Sequence, residues 1–481
     1  MKRKFTTNLL LLLALNLVVK PFWIFGIDRT MQNVVGSGEY GLFFALFNFS
    51  LLLNIALDFG LTNFNNREIS QHPQLLSRYV SNMLAIRLML AVFYFIVSFS
   101  VALMLGYTGR QLWLLLFLVL NQFLSSLILY LRSNLSGLQL FKTDSILSVA
   151  DRVLMIFLCS LLLWTPLRED LRIEWFVYSQ TAAYAITAII ALVLVVRRAD
   201  YFALKFDKRF LISIIRQSYP YALLALLMSF HYRVDSVMLE RLLPDGHIES
   251  GIYAQAFRLL DASTMVPFLF ATLLLPIFSR MIRQGESVNQ LLGYSFSLLY
   301  GVVFAFSVIC IAYQKSIMEL LYVNNTSESY AIFGILMAGF VFISLSYIVG
   351  TLLTAHGSLR YLNIIALMGG VINILLNLYL IPSHKAIGAA ASSLITQAFI
   401  ALLQLYVTVR VFRIRSGQIG VLRFAAYSML VLLSVYIISR FIEGWLLGVL
   451  LSVGVSATLI LVFRIVRVKE FLALWAINSE Q

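Results

Sequence analysis

The sequence predicts an all-α polytopic membrane protein with about 14 transmembrane helices. Of its 481 residues, 61% are hydrophobic and only 12% are charged, and the mean hydropathy is +0.90. Soluble globular domains are about 45–50% apolar and about 25% charged, so the chain is too apolar to be water-soluble. Its net charge of +14 is explained below by membrane topology, and no nucleic-acid partner is predicted.

Each predicted span is a stretch of about 20 predominantly apolar residues. The 14 stretches that qualify are 6–28, 40–62, 79–105, 111–133, 144–165, 174–196, 219–243, 251–278, 290–313, 330–355, 360–381, 386–409, 420–440 and 444–465. The first resembles a signal peptide, but Lys20-Pro21-Phe22-Trp23 stands where small cleavage residues are expected. We therefore interpret it as an uncleaved span.

The distribution of basic residues predicts the orientation. With the N-terminus in the cytoplasm, 23 of the 36 lysines and arginines fall in segments on that side and eight on the opposite side. Cytoplasmic segments of membrane proteins are enriched in Lys and Arg. Both termini are therefore predicted to be cytoplasmic, which agrees with an even number of spans.

The longest connection, residues 197–218, divides the chain near its middle and alternates apolar with basic residues, as interfacial helices do. The predicted organisation is an N-terminal lobe at 1–196, an amphipathic interfacial linker at 197–218, a C-terminal lobe at 219–409, and two additional helices with a cytoplasmic tail at 410–481. A short repeat relates the lobes: Asp28 precedes Gly41-Leu42-Phe43, and Asp235 precedes Gly251-Ile252-Tyr253.

Five basic residues lie inside predicted spans, where topology does not explain them: Lys20, Arg87, Arg152, Arg233 and Arg258. Insertion scales assign roughly 2.5–3.5 kcal/mol to one charge at the centre of a membrane helix. Such charges have to be paired or hydrated. We interpret the five as the lining of a cationic cavity that binds an anionic substrate, with structural ion pairs between helices as the alternative at each position.

Acidic residues in the spans are the expected partners of these cations. Arg258 and Asp261 are three residues apart, so they share one helix face and favour a direct ion pair. Asp58, Asp235 and Asp261 are predicted to tune the charge of the cavity or to take up a coupling ion. Asp28, at the outer end of the first span, is interpreted as a turn or gate residue.

Motifs of enzymes and of cofactor sites are missing from the sequence. It contains no GxxxxGK[ST], HExxH, CxxC or GxSxG pattern. Cys159 and Cys310 fall in separate spans and are interpreted as packing residues. We therefore predict no catalytic residue, no metal site and no cofactor.

Two stretches carry a family resemblance. KPFWIFGIDRTMQNVVGSGEYGLFFALFNFS, and YRVDSVMLERL followed by GIYAQAFRLLDA, are similar to the beginnings of the two lobes in Wzx-type oligosaccharide flippases, which transport O-antigen or capsule repeat units. These proteins belong to the multidrug/oligosaccharidyl-lipid/polysaccharide exporter superfamily. The resemblance implies two six-helix lobes around a central cavity, plus two C-terminal helices, in the bacterial inner membrane.

The resemblance also implies the transport reaction. Undecaprenyl-diphosphate-linked repeat units would move from the cytoplasmic to the periplasmic leaflet by alternating access, driven by H⁺ or Na⁺. Lys20, Arg233 and Arg258 would receive the diphosphate or acidic sugars, and membrane lipids and a polysaccharide polymerase would be partners. The alternatives are a lipid II flippase, a cation-coupled multidrug exporter of the same superfamily and, from another class, an O-antigen polymerase or ligase.

Overall fold

Helices and turns make up the part of the chain that this computed structural model describes, which is residues 18–19, 21–72, 74, 76–199, 201, 208–413, 421–463 and 465. A π-helix at Phe22–Asp28 precedes fourteen α-helices. They are α1 (Arg29–Leu52), α2 (Leu61–Gln71), α3 (Leu76–Met104), α4 (Gly109–Gly137), α5 (Phe141–Leu163), α6 (Ile173–Val196), α7 (Lys208–Leu242), α8 (Gly246–Gln284), α9 (Asn289–Ala312), α10 (Gln314–Leu321), α11 (Ser327–Ala355), α12 (Leu359–Phe412), α13 (Val421–Phe441) and α14 (Trp445–Val462).

Twelve helical stretches of the described chain are long and apolar enough to cross a membrane. Ten of them each coincide with one predicted span, whereas Phe22–Leu52 and α12 each hold residues of two predicted spans. The backbone is non-helical at Gly36 in the first of these stretches and at Lys385 in the second, and each of these residues marks where one helix ends and the next begins. The predicted all-α polytopic fold is confirmed.

The chain forms two compact units, Met1–Ala254 and Gln255–Gln481. The first holds α1 to α7 and the first turns of α8, and the second holds the rest of α8 and α9 to α14. Of the predicted linker, residues 200 and 202–207 lie outside the described part, and 208–218 form the beginning of α7. The predicted division of the chain at this linker stays a prediction.

Aromatic side chains pack between the π-helix, α1 and α6 in the first unit. The Trp23 ring stacks on the Phe176 ring with their centroids 5.8 Å apart, and Phe43 meets Phe176 edge-on at 5.2 Å. All three side chains are buried. Stacked and edge-on pairs contribute about 0.5–1.5 kcal/mol each beyond their buried area. This packing fixes the end of the first span, and with it Asp28, against α1 and α6.

In the second unit, α13 and α14 pack against α9. The Tyr427 hydroxyl on α13 donates a hydrogen bond to the Gly301 carbonyl oxygen on α9 at 2.7 Å. A buried apolar cluster surrounds this bond, with Val308 and Ile309 from α9 and Val431 and Val435 from α13. The two C-terminal helices are therefore anchored by a packed core and by a satisfied buried hydroxyl.

Candidate functional site

The predicted cavity cations lie on several different helices. Lys20 falls outside the described residues. Arg87 lies on α3, Arg152 on α5 and Arg233 on α7, and these three belong to the first unit, whereas Arg258 lies on α8 in the second unit. The surroundings of the described cations differ, and their shared role in lining a cavity stays a prediction.

Arg258 and Asp261 are both half-buried on α8. Their three-residue spacing on a continuous helix keeps the two side chains on one face, and their predicted ion pair stays a prediction. Among the described residues, no three or more His, Cys, Asp or Glu side chains come together in a way that could hold a metal ion.

Arg87 is the most deeply buried of the described cations, with 2% of its surface exposed. Its guanidinium forms an ion pair with Asp58 and donates to the Thr62 hydroxyl at 2.6 Å and to the Ser126 hydroxyl at 2.9 Å. The guanidinium carbon also lies 4.6 Å from the centre of the Tyr130 ring. This geometry supports the alternative of a structural ion pair for Arg87 and Asp58.

The ion pair lies where the helical path of α1 breaks before α2. Phe59 and Gly60 have positive φ angles of 43° and 84°, a region that costs free energy for a phenylalanine. The Asp58 carboxylate accepts hydrogen bonds from the backbone N–H groups of Gly60 and Thr62, both at 3.2 Å. Asp58 therefore holds the turn, and Arg87 balances its charge.

Arg152 is half-buried among aromatic rings. Its guanidinium carbon lies 5.5 Å from the Trp23 ring centre and 5.9 Å from the Tyr184 ring centre. The neighbouring Asp151 carboxylate lies 3.7 Å from Arg152 Nε. A guanidinium within about 6 Å of aromatic faces gains cation–π stabilisation. This environment combines positive charge with aromatic surface, which suits both a phosphate and a sugar ring.

Arg233 lies in the middle of the apolar part of α7, half-buried, and its Nη1 donates to Asn48 Oδ1 on α1 at 3.1 Å. One half-turn further along α7, Asp235 is 1% exposed and accepts a hydrogen bond from the Tyr253 hydroxyl at 3.1 Å. The cation therefore contacts a neutral amide of another helix, and the acid contacts a tyrosine.

The hydrogen bond of Asp235 has a counterpart near the N-terminus, at the other acid of the short repeat. Asp28, 3% exposed, accepts a hydrogen bond from the Tyr40 hydroxyl at 2.9 Å. In both cases an acid pairs with a tyrosine close to the glycine of the repeated pattern: Tyr40 directly precedes Gly41, and Tyr253 lies two residues after Gly251. Asp28 is a buried acceptor and not only part of a turn.

The repeated glycines, Gly41 on α1 and Gly251 near the beginning of α8, bring the backbones of these two helices into contact. A Cβ atom at Gly41 would overlap the carbonyl oxygen of His247, and one at Gly251 would overlap the carbonyl oxygen of Ser37. Gln32 Nε2 donates to the Gly251 carbonyl oxygen at 3.0 Å beside them. We call residues 37–41 and 247–251 the glycine contact; all of it lies within the first unit.

A cluster of polar side chains lies at the end of α7. Glu240 accepts from Gln111 Nε2 at 3.1 Å and forms an ion pair with Arg241. Arg241 donates to the Leu105 carbonyl oxygen at 3.1 Å, and its guanidinium carbon lies 3.7 Å from the Tyr107 ring centre. Burial raises the pKa of the Tyr107 hydroxyl, so the ring stays neutral beneath the cation.

Asn48 and the two tyrosine partners were not among the residues predicted from the sequence. Asparagine in an apolar helix is a recognisable signal, because a buried amide needs hydrogen-bond partners, and Asn48 lies within the second predicted span. Tyr40 and Tyr253 gave no such signal, because tyrosine is common in membrane helices.

Comparison with solved structures identifies the fold. The structure matches that of a lipid II flippase, MurJ, in an inward closed conformation, with a TM-score of 0.72 over 95% of this chain and 99% of that chain, at 15% identity. It also matches an inward-facing multidrug resistance MATE family transporter of the MOP superfamily, with a TM-score of 0.65 over 81% of this chain and 94% of that chain, at 13% identity. A MOP superfamily transporter from Pyrococcus furiosus gives a TM-score of 0.56 at 12% identity, over 85% and 94% of the two chains.

Sequence comparison adds the family. Among curated proteins, none matches the chain significantly. The polysaccharide biosynthesis protein family matches residues 7–282, which is more than half of the chain. The matched structures, a flippase and transporters, share the fold of this chain. The chain belongs to the polysaccharide biosynthesis protein family, and it has the fold of the transporters of the MOP superfamily.

Proposed function

We propose that the protein is a flippase that moves undecaprenyl-diphosphate-linked oligosaccharide repeat units from the cytoplasmic to the periplasmic leaflet for surface polysaccharide assembly. It works by alternating access in the bacterial inner membrane, with both termini in the cytoplasm. Membership of the polysaccharide biosynthesis family supports this proposal.

Arg233 is the residue that carries the proposal. A half-buried guanidinium in the middle of a membrane helix has a high cost and marks a functional position, and its partner on α1 is the uncharged amide of Asn48. Arginine binds phosphate through two parallel hydrogen bonds in a planar fork. The diphosphate of the lipid carrier is a substrate group that matches this chemistry.

We assign further substrate-binding roles to Lys20, Arg152 and Arg258. The aromatic rings beside Arg152 suit a sugar as well as a phosphate. Arg87 is kept outside this set, because its guanidinium is engaged with Asp58, Thr62 and Ser126.

Asp235 is the proposed site of ion coupling, with Asp261 as a second candidate. Asp235 is buried and two residues from Arg233 on α7, so loading it with H⁺ or Na⁺ would change the charge that Arg233 experiences. A polysaccharide polymerase in the same membrane is the proposed downstream partner, since the exported repeat units have to be joined.

A lipid II flippase is the second candidate, because the match to MurJ extends over 95% of this chain. Both cargoes carry an undecaprenyl diphosphate, so the two functions predict the same contacts for Arg233. They differ in the sugars, and the experiment below separates them.

Depletion of the protein tests the function. Lipid extraction of depleted cells is expected to recover carrier-linked repeat units that remain on the cytoplasmic leaflet. Accumulation of lipid II instead would identify the second candidate. Single repeat units that are displayed outside but remain unpolymerised would identify a polymerase, and normal lipids would contradict both transport proposals.

Replacing Arg233 with alanine is expected to abolish surface polysaccharide while the protein still inserts. A hydrogen bond to a charged group contributes about 1.5–3 kcal/mol, so the loss of even one of the two bonds of the guanidinium weakens diphosphate binding by about 10- to 100-fold. Arg258→Ala is expected to act in the same direction. The readouts are surface polysaccharide and the amount of protein in the membrane.

Arg440→Ala is the matched control, because Arg440 is an exposed arginine at the end of α13. It is expected to leave polysaccharide unchanged. Normal polysaccharide in both the Arg233 and the Arg258 variant would contradict the proposed binding site.

A further inference from the structure

Asn48 lies at the point where α1 meets the proposed binding residue of α7. It is 1% exposed, and its Oδ1 accepts a hydrogen bond from Arg233 Nη1 at 3.1 Å. One turn away on both helices, the Ser229 hydroxyl donates to the Leu51 carbonyl oxygen at 3.4 Å. The position of the Arg233 guanidinium is therefore defined relative to α1.

The second polar atom of the amide fixes its orientation. Asn48 Nδ2 donates to the Phe44 carbonyl oxygen at 3.0 Å, so Oδ1 has to point towards Arg233. Rotating the amide by 180° would put Oδ1 against the carbonyl oxygen and Nδ2 against the guanidinium, which loses both bonds. Asn48 thus presents one hydrogen-bond acceptor, and no charge, to Arg233.

The lack of charge on Asn48 matters for an anion-binding arginine. A carboxylate at this position would form a charge-assisted pair with Arg233, and such bonds are about twice as strong as neutral ones. It would also lower the net positive charge around the guanidinium, which attracts a phosphate. An amide orients the guanidinium with one hydrogen bond and adds no negative charge beside it.

We propose that Asn48 is a positioning residue, which holds Arg233 in place as a charged group for the diphosphate of a lipid carrier. This inference rests on the proposed function, because it assumes that Arg233 binds the anionic headgroup. It adds that a neutral acceptor on α1 determines how strongly the protein distinguishes a charged carrier from an uncharged one.

The test compares undecaprenyl diphosphate with undecaprenol, the uncharged alcohol of the same chain length, as ligands of the purified full-length protein in lipid nanodiscs. Asn48→Asp is expected to reduce the preference for the diphosphate at least tenfold, while undecaprenol binding and the melting temperature stay close to wild type. Asn48→Leu removes the acceptor without adding charge, and it is expected to reduce the preference several-fold. Asn289→Asp makes the same chemical change at the first residue of α9 and is expected to have no effect.

Retention of the wild-type preference by a stable Asn48→Asp or Asn48→Leu variant would overturn the proposal. A loss of binding to both ligands in parallel with a loss of thermal stability would also overturn it, because that pattern indicates a structural role. If Asn48→Asp does not fold, Asn48→Leu decides the question by the same criterion. The same assay tests the proposed function separately from the role of Asn48. A wild-type protein that binds both ligands equally, or an Arg233→Ala variant with an unchanged preference for the diphosphate, would contradict the proposed function.

Discussion

Replacement of Gly41 by valine is expected to abolish transport, because the glycine contact leaves no room for a side chain. A Cβ atom at Gly41 would overlap the His247 carbonyl oxygen and would lie 2.8 Å from Gly251 Cα, far inside the optimum of about 3.5–4.0 Å for carbon pairs. The obstructing atoms are backbone atoms, so no change of rotamer relieves the overlap. The part of α1 that follows its break at Gly36 and the beginning of α8 would have to separate. In the proposed alternating-access cycle each end of the protein has to close in turn, and we expect Gly41→Val to lose one of these closed states.

Cysteine cross-linking measures this separation directly. A Cβ at Gly38 lies 3.7 Å from Ile248 Cγ1, so cysteine side chains at these two positions are within reach of each other. Oxidation is expected to cross-link a Gly38→Cys/Ile248→Cys variant in membranes. Adding Gly41→Val is expected to reduce the cross-linked fraction at least fivefold.

Gly454 on α14 provides the matched control. A Cβ at this glycine meets no atom within 4 Å, so Gly454→Val is expected to leave both cross-linking and surface polysaccharide unchanged. A Gly41→Val protein with normal cross-linking and normal polysaccharide would show that the contact is not needed in the transport cycle.

The helices of this protein were predictable because a single physical requirement specifies them. A backbone in lipid has to satisfy its own hydrogen bonds, so a run of about 20 apolar residues forms a spanning helix whatever its neighbours are. The two places where predicted spans join, at Gly36 and near Lys385, show the limit of this argument. At each of these places one or more residues have non-helical backbone angles, but the helices on both sides run on as one element. Hydropathy measures how apolar a segment is, so it does not predict such a local change of backbone angles.

The roles of the buried charges were less predictable, because partners in space do not follow from spacing along a helix. Arg87 and Arg233 look alike as cations in apolar runs of the sequence, yet the contacts differ: Arg87 forms an ion pair with Asp58, and one hydrogen bond of Arg233 goes to an amide of α1. The repeat of Asp28 and Asp235 was visible in the sequence. Their hydrogen bonds from tyrosines and the glycine contact depend on how two helices approach each other, and a single sequence does not report that distance.

Replacement of Arg87 by alanine is expected to remove most of the folded protein rather than to change substrate affinity. Breaking a fully buried ion pair by deleting one partner costs about 3–5 kcal/mol. The Asp58 side chain is 30% exposed, which lowers this cost, but truncation of the buried Arg87 side chain also leaves a cavity, which adds to it. Marginally stable proteins have only about 5–15 kcal/mol of stability. The measurement is the amount of monodisperse protein after extraction in detergent and brief heating, with Arg440→Ala as the arginine control.

A double variant separates this structural role from a binding role for Arg87. Arg87→Met with Asp58→Asn leaves no charge in the pair, and the amide oxygen of the introduced asparagine can still accept from a backbone N–H group of the turn, at Gly60 or Thr62, in place of the carboxylate. Replacing both partners of a buried pair with neutral groups of similar size is close to neutral for stability. We therefore expect the double variant to recover most of the heat-resistant protein and also to restore surface polysaccharide. A double variant that is stable but does not transport would mean that the Arg87 charge itself acts on the substrate, and it would return Arg87 to the binding set with Arg233.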